Sequence, residues 1–190
     1  MSIPKKPRTC RVCKTVFQPV KCLQQVCGPE CGIKLAQAKR AKAERIAGIE
    51  DRKIIKAKLD KLKTRSQWMR EAQTAFNAYR REVAKINGYP CISSGRPLDW
   101  SGNNVDAGHY RSIGSAPHLR FDERNCHAQS KHDNRYLSGN AVDYRIGLIQ
   151  RIGIDEVEAL EADNTTRQYT IEELKAIKAT YIAKLKELRK

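Results

Sequence analysis

The histidines of this chain all lie in one short segment, residues 105–140. They are His109, His118, His127 and His132. Hydrolysis of a phosphodiester needs a base that takes a proton from water and a hard cation that holds the phosphate. Histidine suits the first task because its ordinary pKa lies near neutral pH, and carboxylate and amide oxygens suit Mg²⁺. The segment therefore predicts a metal-dependent nuclease site in which His109 is the base and Asp106 and Asn134 are metal ligands.

A short strand, a loop and a short helix must position these side chains. Residues 105–111 alternate like a strand, and the alternation would place Asp106 on one face and His109 on the other. The second half of the site begins at Asn125 and enters a short helix near Lys131. We therefore expect a ββα arrangement whose helix carries Asn134.

Four stretches of the sequence, taken in order, resemble the HNH core of the NinG family of lambdoid phages, also called Rap. They are D-A-G-H-Y-R, L-R-F-D-E-R-N, H-A-Q and S-G-N-A-V-D-Y-R. The resemblance extends over almost the whole chain from about Arg8. It implies an HNH-type endonuclease that acts on branched DNA of recombination, such as Holliday junctions and D-loops, with Mg²⁺ or Mn²⁺. It also implies that Asn125 holds the loop and orients His109, and that Asn134 is a metal ligand.

The core departs from the family pattern at two C-x-x-C pairs that bind structural zinc. In this chain the first pair retains Cys91 but has Ser94, and the second pair has Ser130 and Asp133. One cysteine of four cannot make a tetrahedral zinc site. Two alternatives remain: the core stands without zinc, or a different site is formed by Cys91, His127, His132 and Asp133.

Two cysteine pairs near the N-terminus predict a structural zinc site. Cys10 and Cys13 are followed after a 13-residue gap by Cys27 and Cys31. This spacing lets four thiolates converge tetrahedrally, so we expect one zinc per chain in a knuckle over residues 1–33. The alternative is a set of unrelated free cysteines. Cys22 is expected to be a small buried residue rather than a fifth ligand.

The first third of the chain is strongly basic. Residues 1–65 contain 18 Lys and Arg and five Asp and Glu, which is thirteen of the sixteen excess positive charges. We expect residues 34–65 to form a helical arm that lies along DNA phosphates, although a solvated spacer helix is the alternative. The candidate contacts in the arm are Lys39, Arg40, Lys42, Arg45, Arg52, Lys53 and Lys56. In the core, at least one of Arg111, Arg120 and Arg124 should pair with phosphate.

Composition points to a polyanion partner. The net charge is +16 and the isoelectric point about 9.7, but charge alone does not separate DNA, RNA and anionic membrane. No stretch approaches 18 apolar residues, and the N-terminus lacks the apolar core of a signal peptide. We therefore expect no membrane association, a cytoplasmic location in the host, and seven cysteines that bind metal or stay reduced.

The expected fold is α+β and mostly helical, with a nuclease core over residues 66–190. A helix should begin at Ser66 as its N-cap. A second should bury an apolar face formed by Val142, Ile146, Ile149 and Ile152. A short acidic helix over residues 155–162 and a last helix opened by the Thr170 capping box should follow. The sequence does not decide whether the last helix packs within the chain or binds a partner.

Two further function classes explain part of the sequence. A DNA-binding accessory protein with a decayed nuclease core would explain the three missing zinc thiolates. An RNA-binding zinc protein would explain the charge but not the strand, loop and helix around His109. Because a four-way junction needs two incisions on opposed strands, we expect the nuclease to act as a homodimer.

Overall fold

The computed structural model describes residues 6–190, so the first five residues of the predicted zinc knuckle lie outside it. The described chain is mostly helical with two small two-stranded sheets, as predicted. It divides into two units that meet in sequence between Leu62 and Lys63. Across the described residues, no helix combines the length and the apolar composition that crossing a bilayer requires.

The first unit contains a small hairpin and one long helix. Strand β1 (Arg8–Thr9) pairs antiparallel with β2 (Val16–Phe17), and helix α1 (Pro29–Leu62) follows. The helix begins five residues earlier than expected because Pro29 is well suited to a first helical position. Its 34 residues span about 50 Å, and none of them is buried.

The second unit begins with helix α2 (Arg65–Ile86). Its N-cap is Thr64 and not Ser66: the Thr64 side chain accepts from the Gln67 amide, and the Gln67 side chain accepts from the Thr64 amide at 2.7 Å. This capping box satisfies two N–H groups at the helix start, which a cap at Ser66 would leave unpaired. Helix α2 buries Trp68, Ala72, Ala75 and Phe76.

A second hairpin forms the centre of this unit. Strand β3 (Val105–His109) pairs antiparallel with β4 (Cys126–Ser130), with Val105 opposite Ser130 and His109 opposite Cys126. The predicted strand is thus confirmed. A single π-helical turn, His132–Tyr136, follows β4 directly where the short helix was expected. Helix α2 packs against one face of the hairpin through Phe76 and Ala84.

Helix α3 (Ala141–Ile152) lies on the other face of the hairpin, and α4 (Ile154–Ala162) packs against α3. The predicted apolar face of α3 is wrong in its first half, because Val142 and Ile146 are 74% and 53% exposed. The helix instead buries Tyr144 and Leu148, and the Tyr144 hydroxyl donates to the Gly108 carbonyl at 2.9 Å. A long-range hydrogen bond therefore selects the buried face.

Helix α5 (Ile171–Leu188) packs within the chain against α2. Its Thr170 capping box forms as predicted. Leu174 joins the cluster around Trp68, and Tyr181 packs edge-on against Phe76 with ring centroids 4.8 Å apart. The sequence did not decide whether the last helix packs within the chain or binds a partner, and these contacts show that it packs within the chain.

Substituting Gly147 by alanine should destabilise the second unit. An added Cβ would lie 1.9 Å from the Ile92 carbonyl oxygen, whereas at Gly48 in α1 it would meet nothing within 4 Å. Gly147→Ala should therefore cost about 1–3 kcal/mol, although the same change in an open helix stabilises. Both tryptophans lie in the second unit, so their fluorescence during urea unfolding measures the effect. An unchanged midpoint of urea unfolding for Gly147→Ala would contradict this packing. A lowered midpoint for the control Gly48→Ala would contradict it as well.

Candidate functional site

The structure brings the two predicted metal ligands of the core together. Asn134 donates from Nδ2 to Asp106 Oδ2 at 3.0 Å, and Arg135 Nε donates to the same oxygen at 2.8 Å. Asp106 lies opposite Gln129 in the hairpin, and the π-helical turn that follows β4 carries Asn134 back to it. Burial alone would raise the pKa of Asp106, but the hydrogen bonds from Arg135 and Asn134 lower it. The carboxylate is therefore ionised at neutral pH.

The donor set of this pair fits a hard cation in kind. Mg²⁺ is commonly bound by one or two carboxylates and completes its shell with water and substrate phosphate. Asp106 offers one carboxylate, but Asn134 turns its Nδ2 rather than its amide oxygen toward it, and Arg135 competes for the carboxylate. Among residues 6–190, one group of three or more His, Cys, Asp or Glu side chains is placed to hold a metal ion. This group is the four N-terminal cysteines and does not include Asp106. A cation at Asp106 would thus depend on phosphate for its remaining ligands.

His109 lies at the end of β3 with its ring beside Phe76, and the ring centroids are 6.2 Å apart. Its Nε2 is 3.0 Å from the Arg120 carbonyl, which can only accept, so Nε2 carries the proton. The described hydrogen bonds give Nδ1 no partner. Burial lowers the pKa of His109. The ring is therefore neutral at pH 7 and its Nδ1 can accept a proton.

The predicted base and the predicted ligands are not in one cluster. Three residues along a strand correspond to about 10 Å, and successive side chains alternate between faces. Asp106 therefore faces the π-helical turn, while His109 faces α2. The alternation of residues 105–111 already predicted this separation.

Asn125 holds the loop that follows β3. It is fully buried, and its side chain bonds both the amide and the carbonyl of Arg111 at 2.8 and 3.0 Å and the Leu119 carbonyl at 3.2 Å. Arg120, the next residue, supplies the carbonyl that fixes the His109 ring. Asn125 therefore holds the loop, and its effect on the orientation of His109 stays a prediction.

The remaining histidines have structural or exposed positions. His127 Nε2 lies 3.0 Å from the Arg124 carbonyl, and burial lowers the pKa of His127 to about 3. His118 bonds the Asp163 carbonyl at 3.0 Å. The His132 side chain is 71% exposed.

The residues at the four zinc positions of the core form a hydrogen-bonded cluster. Cys91 Sγ donates to Asp133 Oδ2 at 3.1 Å, and the Ser130 hydroxyl donates to the same oxygen at 2.7 Å. A hydrogen bond from Ser94 also helps to lower the pKa of Asp133, against the effect of burial. The core therefore closes here through hydrogen bonds. The alternative metal site that includes His127 does not form, since that ring bonds Arg124 instead.

Two of the three core arginines are engaged within the protein. Arg111 donates to the Leu160 and Asp163 carbonyls at the end of α4, which stabilises the helix terminus. Arg124 bonds Asp122 and Glu156, each at 2.7 Å. The expectation of phosphate contacts is therefore not supported for Arg111 and Arg124. The Arg120 guanidinium donates to the Gln73 side chain at 3.2 Å, and its buried Nε has no partner among the described residues.

The predicted basic residues of the arm are all exposed on α1. They are Lys39, Arg40, Lys42, Arg45, Arg52, Lys53 and Lys56. Lys53 makes an ion pair with Glu50 at 3.4 Å, and an exposed pair of this kind is weak. The arm therefore presents its charge to solvent, where phosphates could approach it.

The N-terminal cysteines converge as the spacing predicted. Cys10 and Cys13 lie in the turn between β1 and β2, Cys31 lies in the first turn of α1, and the four Sγ atoms are within 4.8 Å of one another. Zinc–sulfur bonds of about 2.3 Å place tetrahedral sulfurs within this range, so the cluster could hold zinc. Contacts with the other thiols raise the pKa of Cys27 to about 12, so the thiolate form is unfavourable in the free cluster. A bound cation would stabilise the thiolate. Cys22 was expected to be buried, but it is exposed.

Elemental analysis of the purified chain should find one zinc per chain. Cys27→Ser should lose it, because removing one of four thiolates opens the tetrahedral site. Cys22→Ser is the matched control, since Cys22 is outside the cluster, and should keep the metal. A zinc content of two would contradict the hydrogen-bonded closure of the core, and a content of zero would contradict the N-terminal site.

Comparison with known proteins places the whole chain in one family. A family model described as Bacteriophage Lambda NinG protein matches residues 1–190. Protein ninG of Enterobacteria phage H19B is 44% identical, covering 96% of this chain and 94% of that protein. Protein ninG of Salmonella phage P22 (44%) and of Escherichia phage lambda (43%) each cover 93% of this chain and 90% of their own length. No solved structure matches the chain significantly. The chain therefore belongs to the NinG family of bacteriophage proteins.

Proposed function

We propose that the chain is a metal-dependent, HNH-type endonuclease that cuts branched DNA during phage recombination. The observation that carries the proposal is the contact between Asp106 and Asn134, which are 28 residues apart in sequence and lie 3.0 Å from each other. The β3–β4 hairpin and the turn after it bring together an ionised carboxylate, Asp106, and the amide of Asn134, which the family resemblance implies as a metal ligand, and this contact supports the proposal. The same strand ends in a neutral histidine held by a backbone carbonyl.

The chemistry assigned to these residues is phosphodiester hydrolysis. Asp106 and Asn134 would hold Mg²⁺ or Mn²⁺, which neutralises charge on the scissile phosphate when bound. His109 accepts a proton from water at Nδ1, and the Arg120 carbonyl keeps its Nε2 protonated. Asn125 keeps that carbonyl in place by bonding the Leu119 carbonyl beside it. The branched substrate and its recombination partners are inferred from the family resemblance.

The arm and the core are assigned different tasks. The exposed lysines and arginines of α1 supply affinity for phosphates without sequence preference. The core supplies the chemistry, and a homodimer would supply the two incisions that a four-way junction needs. This division follows from where charge and candidate catalytic groups lie in the chain.

A second candidate function is that of a DNA-binding recombination protein without catalysis. The separation of His109 from Asp106 on opposite faces of β3 favours it, as does the ion pair that Arg135 makes with Asp106. Cleavage assays on four-way junction, flap and linear duplex, each with Mg²⁺, Mn²⁺ and EDTA, discriminate between the two. Binding to every structure without metal-dependent cleavage of any of them would establish the second function.

The variant His109→Gln should cut branched DNA about 10²–10⁴ times more slowly than the wild type, because the loss of a general base typically has this effect. Its affinity for the same DNA should stay near the wild-type value, since a base that acts on water contributes little to binding. His132→Gln is the matched control, with a side chain that is 71% exposed, and should cut normally. Single-turnover rates measure both. A wild-type rate for His109→Gln would remove His109 from the mechanism.

Replacing the seven arm residues by glutamine should flatten the salt dependence of DNA binding. They are Lys39, Arg40, Lys42, Arg45, Arg52, Lys53 and Lys56. Each phosphate contact contributes about −0.9 to the slope of log affinity against log salt on duplex DNA. Exchanging lysine for arginine and the reverse at the same positions keeps the charge and should keep the slope. If the glutamine variant has the wild-type slope, the arm is a spacer.

A further inference from the structure

Three arginines surround one cavity in the second unit. The cavity, of about 270 Å³, lies among Arg65 at the start of α2, Arg120 in the loop after β3, and Arg167 before α5. Ser66 and Tyr169 also line it, and none of the residues that line it is acidic. A cavity bordered by three positive charges and no carboxylate favours an anionic occupant.

Each guanidinium is held in place by contacts within the protein. Arg65 Nε donates to the Tyr169 carbonyl at 2.7 Å, and Arg120 Nη1 donates to Gln73 Oε1 at 3.2 Å. Arg167 donates from Nη2 to Glu173 at 3.3 Å and stacks on the Tyr169 ring, 4.6 Å from its centroid. One hydrogen bond from each fork orients the group and leaves other N–H donors for a ligand.

Arg120 gives independent evidence for a missing acceptor. Its Nε is buried and has no hydrogen-bond partner among the described residues. A buried donor without a partner is costly, and turning this N–H toward an oxyanion in the cavity would remove that cost. Burial also lowers the pKa of Arg120, as expected where no carboxylate compensates the charge.

The start of α2 adds a further positive potential. Arg65 is the first residue of this helix, and the first turn contains no acidic residue. Helix N-termini favour negative groups because their amides and macrodipole are positive at that end. Arginine at this position is therefore unfavourable in the free protein and becomes favourable when an anion is bound beside it.

We propose that Arg65, Arg120 and Arg167 form a pocket that binds one backbone phosphate of the DNA substrate. The proposal deepens the proposed function and rests on it for the identity of the ligand. Arg120 links the two sites, because this residue lines the pocket while its carbonyl accepts from His109 Nε2 at 3.0 Å. A phosphate in the pocket thereby positions the strand relative to the proposed base.

The test uses the full chain and four variants, Arg65→Gln, Arg120→Gln, Arg167→Gln and the control Arg189→Gln. Arg189 also bonds one carboxylate, Glu82 at 2.7 Å, but lies outside the pocket. Each pocket variant should make the slope of log affinity against log salt less negative by up to about 0.9, the contribution of one phosphate. The control should leave the slope unchanged. Because each pocket variant loses an internal contact, thermal unfolding checks the fold of all three.

Inorganic pyrophosphate provides a readout that does not depend on DNA. It should raise the melting temperature of the wild type and of Arg189→Gln more than that of Arg120→Gln. Normal binding of branched DNA together with unchanged slopes in all pocket variants would overturn the pocket and leave the proposed function intact. If the wild type does not bind branched DNA, the proposed function fails, and a pyrophosphate effect that persists in Arg120→Gln would overturn the pocket as well.

The source of the phosphate is tested by the ends of the DNA. Junctions with 5′-phosphate and with 5′-hydroxyl ends should bind the wild type equally if the pocket takes an internal phosphodiester. A preference for 5′-phosphate that the pocket variants abolish would overturn this assignment in favour of a terminal phosphate.

Discussion

The antiparallel pairing of β3 with β4 is the constraint on which the second unit depends. Its register places Asp106 opposite Gln129, and the turn that follows β4 can then return Asn134 to Asp106. The same register carries Asp133 to Cys91, where hydrogen bonds close the end of the hairpin. Helices α2 and α5 pack together on one face of the hairpin, and α3 covers the other. A slip of one residue would exchange the two faces and separate all of these contacts.

The alternation of the same strand divides the candidate site between two faces. The face with Asp106 offers hard oxygen ligands, whereas the face with His109 offers a neutral base. Arg120 supplies the carbonyl that holds that base, and its side chain lines a cavity bordered by two further arginines. Phosphate recognition and proton transfer therefore share one side of the hairpin, and the carboxylate lies on the other. This division is the physical feature that any mechanism for the chain must accommodate.

Local patterns predicted what local interactions determine. The strand at residues 105–109, the convergence of four cysteines and the capping box at Thr170 each follow from spacing within a short segment. The N-cap error at Ser66 was local, since the capping box of Thr64 and Gln67 lies within four residues. The errors at α3 and Arg111 arose where distant contacts decide. The buried face of α3 is set by Tyr144, which reaches Gly108, and Arg111 is drawn to the end of α4, 49 or more residues away. The spacing of residues around either position does not contain that information.

The central claim is that a neutral His109 takes a proton from water during cleavage of branched DNA. The pH dependence of single-turnover cleavage of a four-way junction, at saturating Mg²⁺, tests it most directly. Because burial lowers the pKa of His109, the ring is neutral above that pKa and becomes inactive when it is protonated below it. The account predicts a rate that is constant around neutral pH and falls only below pH of about 6.5, the ordinary histidine value. A rate that still rises through neutral pH, or no cleavage at any pH, would contradict it.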